Sequence, residues 1–316
     1  MKSMKRQIII DTDPGQDDAV AILLALASPE EIELLGIVAV AGNVGLERTA
    51  SNARKILELA GRTDIPVHAG CVRPLRRPLV TAERVHGRTG LDGPDLPEPT
   101  MPLQPQHGVD YLVETLLEAP PGTITLCTLG PLTNVAMALV KAPAIAGRLC
   151  EIVMMGGAYF EVGNITPAAE FNVYVDPEAA DVVLGSGVPI TIVPLDVTHG
   201  VLSTPDRLEG IRRIDRRCSR AVLEMLIFAA QFDRKKYGWD GGPLHDPNVI
   251  AWLLRPELYD GRRINVSIET GSALTLGMTV ADWWRITDRP ANALWLRQAD
   301  AAGFHALLAE RLARLP

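Results

Sequence analysis

The sequence predicts an α/β protein, a single, mostly parallel, doubly wound sheet flanked by helices, with a smaller helical layer beside it. Short apolar runs of strand length alternate with stretches that carry helical apolar spacing. The runs are apolar on both faces, as in Ile8-Ile9-Ile10, which suits strands covered on each side by helices. Polar residues gather where strands end, and ligands bind such sheets outside the carboxyl ends of the strands.

Gln7 to Asp11 reads as the first buried strand, and Asp17 to Ala27 as a helix packed against it. Ile32 to Val40 is a second strand, Leu46 to Ala60 a helix after the turn at Gly42-Asn43, and a short strand follows near Pro66-Val67. Cys71 to Gln106 is rich in Pro and Gly, too long for an ordinary connection, and carries His86-Gly87-Arg88-Thr89-Gly90, so it reads as a functional loop or lid. The alternation resumes with a helix at Val109 to Glu118, a strand at Thr123 to Thr128, a helix at Pro131 to Val140 and a strand at Glu151 to Met155. A helix at Pro177 to Leu184 and a strand at Ile190 to Val193 extend the sheet, and Asp206 to Arg234 supplies the helical layer. The remainder reads as a helix at Asp246 to Leu254, strands at Arg263 to Glu269, Leu274 to Val280 and Ala293 to Leu296, and a closing helix from Ala301 to Leu315.

A chain of 316 residues with 47% hydrophobic residues buries a large core, and residues 1–316 are expected to form one domain. A formal net charge of −7 provides no basic field for phosphates, so nucleic acid is not an expected partner, whereas a small neutral ligand is compatible. No apolar run reaches membrane-spanning length, and the start Met1-Lys2-Ser3-Met4-Lys5-Arg6 leads straight into a strand, so no membrane partner and a cytoplasmic location are expected. Cys71, Cys127, Cys150 and Cys218 show no metal-site spacing and read as reduced structural thiols.

The most informative segment is Asp11-Thr12-Asp13-Pro14-Gly15-Gln16-Asp17-Asp18, which puts four carboxylates where a strand meets a helix. A phosphate loop fills this position with glycines and a Lys, so a phosphate would be repelled here. Helix capping by Asp17 and Asp18 accounts for part of the cluster but not all of it. So many hard oxygen donors suit Ca²⁺ or Mg²⁺, not Zn²⁺ or Cu²⁺.

Continued through Ala19, this segment resembles the DTDPGxDDA signature of the inosine-uridine-preferring nucleoside hydrolases. Further matching segments follow in order: Gly42-Asn43, Thr128-Leu129-Gly130-Pro131-Leu132-Thr133-Asn134, Met154-Met155-Gly156-Gly157, Asn164 with Ala169-Glu170-Phe171-Asn172 and Asp176-Pro177-Glu178-Ala179-Ala180, and His245-Asp246-Pro247. The resemblance implies the nucleoside hydrolase fold and calcium-dependent cleavage of the N-glycosidic bond of ribonucleosides. It implies a Ca²⁺ held by Asp13, Asp18, the Thr128 carbonyl and Asp246, with Asp13 as the base that takes a proton from the attacking water. It places Asp17, Asn43, Asn164, Glu170 and Asn172 on the ribose hydroxyls with Met155 beside them, and it implies a homodimer or homotetramer. Ribose discrimination fits such a set, because hydroxyls need both donors and acceptors.

His245 is the residue that the resemblance offers as acid for the departing base, since an imidazole with reference pKa of about 6.5 can carry or lend a proton near neutrality. His86, in the long loop, corresponds to a position near the nucleobase. Read without the resemblance, His245 caps the following helix, His86 is a solvated loop residue, and Asn43 and Asn164 adjoin glycines and fit left-handed turn positions. Phe171, Phe232, Tyr237 and Trp239 offer stacking surface, and uridine, cytidine and inosine all stay open as substrates. Two other readings stand beside this one. Ile8 to Asp13 also resembles the strand plus DxD of haloacid-dehalogenase-type phosphatases, whose later elements have no counterpart here. A ribose- or nucleoside-binding protein without turnover would keep the same pocket.

Overall fold

The computed structural model describes residues 5–316; Met1-Lys2-Ser3-Met4 lie outside the described residues. The strands are β1 (Arg6–Thr12), β2 (Ile32–Ala39), β3 (Val67–Ala69), β4 (Ile124–Thr128), β5 (Leu149–Met155), β6 (Ile190–Val193), β7 (Tyr259–Ile264), β8 (Val266–Ile268), β9 (Thr279–Ala281) and β10 (Ala293–Ala299). Eight of them form one sheet in the order β3-β2-β1-β4-β5-β6-β10-β7. Every pairing in it is parallel except the edge pair β10 and β7. The sheet is therefore mostly parallel and doubly wound, as the alternation of elements predicts.

Alternation along β1 divides the core. Ile8 and Ile10 point into the layer formed by the helices Gln16–Leu26, Leu46–Leu59, Arg217–Tyr237, Pro247–Leu254 and Ala301–Leu312. Ile9 points into the other layer, with Gly108–Glu118, Thr133–Lys141 and Pro177–Leu184. All three isoleucines are fully buried, which is why this strand reads as a continuous apolar run.

The departures lie in the C-terminal third and in short elements. Asp206 to Arg234 is two helices, Pro205–Arg212 and Arg217–Tyr237, separated at Asp215, which has positive φ. The strand expected at Arg263 to Glu269 divides between β7 and β8. Of that expected at Leu274 to Val280, only Thr279 and Val280 are extended, in the small antiparallel pair β8–β9, because residues 273–277 form a turn with Gly277 at φ 75°. The helices Glu83–His86, Phe171–Val175 and Leu195–Thr198 are too short to show a period in sequence. Cys71, Cys127, Cys150 and Cys218 are all unpaired, in agreement with their reading as thiols. No described helix is long and apolar enough to cross a membrane.

Candidate active site

From β1 the chain winds outward through β2 to β3 and returns to β4 on the other side of β1, so the winding direction reverses between β1 and β4. The carboxylate loop leaves the end of β1 at this point, and Thr128-Leu129-Gly130 leave the end of β4 beside it, with Asp11 and Thr128 in register. The Asp13 carboxylate is buried between the loops that follow β2 and β4. Its Oδ2 accepts from the Asn43 N–H at 2.7 Å, while Oδ1 is buried with no partner among the described residues. Gly42 and Gly130 close around it, and a methyl group at either position would overlap the carboxylate.

Asp17, Asp18 and Asp246 each bring an oxygen to within 4.8 Å of the others. Asp18 also stabilises the local turn: Oδ1 accepts from the Thr12 hydroxyl at 2.5 Å and Oδ2 from the Gly15 N–H at 2.9 Å. The capping role thus exists for Asp18, but the Asp246 side chain makes no cap hydrogen bond at the start of its helix. Burial, then repulsion from the neighbouring carboxylates, pushes Asp13 and Asp246 far above the ordinary range and Asp18 up to about 6. A hard divalent cation would reverse that penalty. The orphaned Asp13 Oδ1, the all-oxygen donor set and the crowded trio fit one.

The wall of the cavity facing the loop comes from the segment after β5. Glu170 caps the helix Phe171–Val175, accepting from the N–H groups of Asn172 (2.9 Å) and Val173 (3.2 Å), and from Gly157 at 3.0 Å. Burial nevertheless pushes its carboxyl up to about 7. The neighbouring amides are held in complementary senses. Asn164 Oδ1 accepts from the Phe171 N–H at 2.9 Å, which leaves its NH₂ free, whereas Asn172 Nδ2 donates to the Leu129 carbonyl at 2.7 Å and Asn43 Nδ2 to the Asp13 carbonyl at 3.1 Å, which leaves their oxygens free. Neither Asn43 nor Asn164 has positive φ, so the left-handed turn reading does not describe them.

The remaining wall combines distant segments. His245 Nδ1 sits 2.8 Å from the Thr198 hydroxyl, and burial depresses its pKa to about 4. Phe232, Asp233, Tyr237 and Trp239 descend from the long helix and its exit, with the Tyr237 and Trp239 rings stacked at 4.7 Å. Asp17, Asn43, His86, Met155, Asn164, Glu170, Phe171, Asn172, His245 and Asp246 all line one cavity, and Asp13, Asp18 and Thr128 lie buried behind its floor. Every candidate residue is therefore in or directly beneath a single site. Sequence reasoning missed Gln16, His199, Ser203 and Asp233, which also line it. His199, whose ring centroid is 6.0 Å from that of His245, follows a one-turn helix and carries no local signature. Gln16 stood inside the carboxylate motif, its one non-acidic long polar side chain.

Comparison with known proteins agrees with this geometry. The family model for inosine-uridine preferring nucleoside hydrolase matches residues 8–306. The pyrimidine-specific ribonucleoside hydrolase RihA of Photobacterium profundum is 50% identical over 98% of this chain and 99% of its own, and an uncharacterised protein of Schizosaccharomyces pombe is 54% identical over 98% and 100%. Among solved structures, a plant nucleoside hydrolase superposes with a TM-score of 0.91 at 34% identity, covering 98% of this chain and 99% of its own. A purine-preferring ribonucleoside hydrolase from Gardnerella vaginalis does so with a TM-score of 0.91 at 29% identity, covering 98% of each. The carboxylate crevice, its amides and the near-complete coverage by the family model converge on one conclusion: this chain belongs to the inosine-uridine preferring nucleoside hydrolase family and is a ribonucleoside N-glycosidase.

Proposed function

We propose that the protein, acting as one domain over residues 1–316, hydrolyses pyrimidine ribonucleosides with Ca²⁺ as its resident ion. The observation that carries this reading is the carboxylate cluster, His245 and a set of oriented amides brought together around one cavity. Asp13, Asp18, Asp246 and the Thr128 carbonyl would hold the ion, with Asp17 at its edge toward the ribose. When bound, the ion supplies the positive charge that lets these buried carboxylates ionise and polarises a neighbouring water.

The chain's own residues do the rest. Asp13 Oδ1, free of protein partners, accepts the proton of the attacking water. Asp17, Asn43, Asn164, Glu170 and Asn172 hold the ribose hydroxyls, with Met155 against the sugar, and the nearby carboxylates stabilise the positive charge that builds at C1′ as the base departs. Their preset donors and acceptors favour ribose over deoxyribose, because losing a hydroxyl strands buried polar groups. His245 is neutral near neutrality, so with the Thr198 hydroxyl donating to Nδ1 its Nε2–H assists the leaving base by a hydrogen bond and not by full proton transfer, which would leave an imidazolate. Phe171, Phe232, Tyr237 and Trp239 exclude water around that base. Half-identity with a pyrimidine-specific relative supports the base preference.

We further propose that the chain is a homo-oligomer. An exposed patch supports this: Arg262 lies over the Trp283 and Trp284 rings, Arg297 over Phe160, and Trp284 and Ile286 are 71% and 84% exposed. Trp284→Glu is expected to shift the mass in light scattering to that of a smaller species; an unchanged mass removes the patch from the interface.

The deciding assay measures release of free base and ribose from uridine, cytidine, inosine and deoxyuridine, with and without a chelator, followed by readdition of Ca²⁺ or Mg²⁺. Faster release from uridine and cytidine, lost on chelation and restored best by Ca²⁺, is expected. Faster inosine turnover reverses the base assignment, and release indifferent to chelation removes the ion.

A further inference from the structure

We propose that Gln16 is a positioning residue that holds His86 in one tautomer, with Nδ1 protonated and the Nε2 lone pair offered to a hydrogen-bond donor of the nucleoside. The inference rests on the nucleoside reading for the ligand but not for the tautomer.

Gln16 occupies the variable centre of the carboxylate motif, is 1% exposed, and makes three hydrogen bonds to the long loop. Its Nε2 lies 3.0 Å from the His86 carbonyl and 2.9 Å from the Asp92 carbonyl. Carbonyl oxygens only accept, so the amide nitrogen must face both of them, and reversing the amide would set one oxygen against two others. The amide oxygen is thereby directed at His86 Nδ1, 2.7 Å away. An amide oxygen cannot donate, so Nδ1 must carry a proton. Burial of the ring depresses its pKa, which leaves Nε2 unprotonated near neutrality. Among the described residues Nε2 has no hydrogen-bond partner, and the residue lines the cavity.

The mounting around this contact is rigid. A Cβ at Gly15 would lie 2.5 Å from His86 Nδ1, so the main chain passes directly under the ring. Asn52 Nδ2 bridges the Pro14 carbonyl at 3.0 Å and the Thr89 carbonyl at 2.9 Å, pinning the same stretch of loop to the same stretch of motif. The Asp92 carboxylate accepts from the N–H groups of Arg88 (3.2 Å) and Thr89 (3.1 Å), closing the turn beyond His86. This part of the loop is a fixed wall, and a wall that presents an acceptor selects a ligand that presents a donor there. A ribose hydroxyl and a base N–H both qualify.

The test reads the tautomer directly. Ring ¹⁵N shifts of His86, assigned with His86→Gln, are recorded on metal-free protein for the wild type, Gln16→Leu and Gln16→Glu. The wild type is expected to show Nδ1 protonated and Nε2 bare, Gln16→Leu to move protonation toward Nε2, and Gln16→Glu, which when protonated donates to a loop carbonyl and keeps an acceptor for Nδ1–H, to restore the wild-type pattern. Loss of one such hydrogen bond should lower kcat/KM for uridine roughly 3- to 10-fold in Gln16→Leu. 5′-Deoxyuridine and N3-methyluridine identify the donor, since the analogue lacking it should lose nothing further in Gln16→Leu. An Nε2–H tautomer in the wild type, or a tautomer indifferent to Gln16→Leu, overturns the proposal; should that variant fail to fold, the wild-type and Gln16→Glu spectra still decide. Sensitivity kept by both analogues overturns the assignment of the partner. Absence of base release by the wild type would instead sink the nucleoside reading, leaving the tautomer result standing.

Discussion

The two sides of the cavity are built by different means. Most of the carboxylate side comes from contiguous residues at the end of β1, with Asp246 added from the start of the helix Pro247–Leu254 and glycines that would clash with Asp13 if they carried side chains. The side toward the base is assembled from Thr198, His199, the helix Arg217–Tyr237, Trp239 and His245, which meet only through packing. The first is charged, buried and held by short hydrogen bonds; the second is mostly aromatic and leans on ring contacts. Under the proposed function this is a division of labour, in which the chemistry is placed where the backbone itself is fixed and selectivity is left to side chains that meet only through packing.

If that division holds, damage to the carboxylate side should be the most severe. Asp13→Ala is expected to lower kcat by about 10²- to 10⁴-fold or more with circular dichroism unchanged; near-wild-type kcat would remove Asp13 as the base. His245→Ala, on the other side, should cost about 10²-fold in kcat for uridine. It should cost little for p-nitrophenyl riboside, whose leaving group needs no such assistance, and equal losses on both substrates would contradict a role in base departure. Tyr237→Ala should be milder still, raising KM about 3- to 10-fold while sparing kcat, as loss of a stacking ring predicts. A larger effect on kcat than on KM would mean that the aromatic side also positions the reacting atoms.

The last expected effect lies outside both regions and concerns stability, not turnover. His305 sits on the closing helix with Nε2 3.0 Å from the Leu202 carbonyl, and burial depresses its pKa from 6.5 to about 4. The unfolded chain therefore binds this proton more readily between those values, so the stabilising contribution is complete above pH 6.5 and disappears as pH falls through 4. His305→Gln keeps a donor for Leu202 and does not titrate. Across that window its urea-unfolding free energy should decline less than that of the wild type, by up to about 3 kcal/mol. Parallel pH profiles would show that the ring is not held neutral by the fold.

Fold class and the carboxylate side were legible in the linear sequence because both depend on near neighbours. Apolar runs and helical spacing report local burial, and Asp11 to Asp18 lie together at the end of one strand, where only Asp246 had to be added by folding. The C-terminal strands were harder to read, since edge and two-stranded pieces such as β8 and β9 lack the two-sided burial that marks β1. Tertiary structure alone brought His199, Ser203 and Asp233 to the cavity and set His245 against Thr198, residues 47 apart in the chain. It likewise decided how Gln16 faces His86 across 70 residues. The direction of a hydrogen bond depends on where both partners end up, whereas the pattern along a chain records only which partners exist.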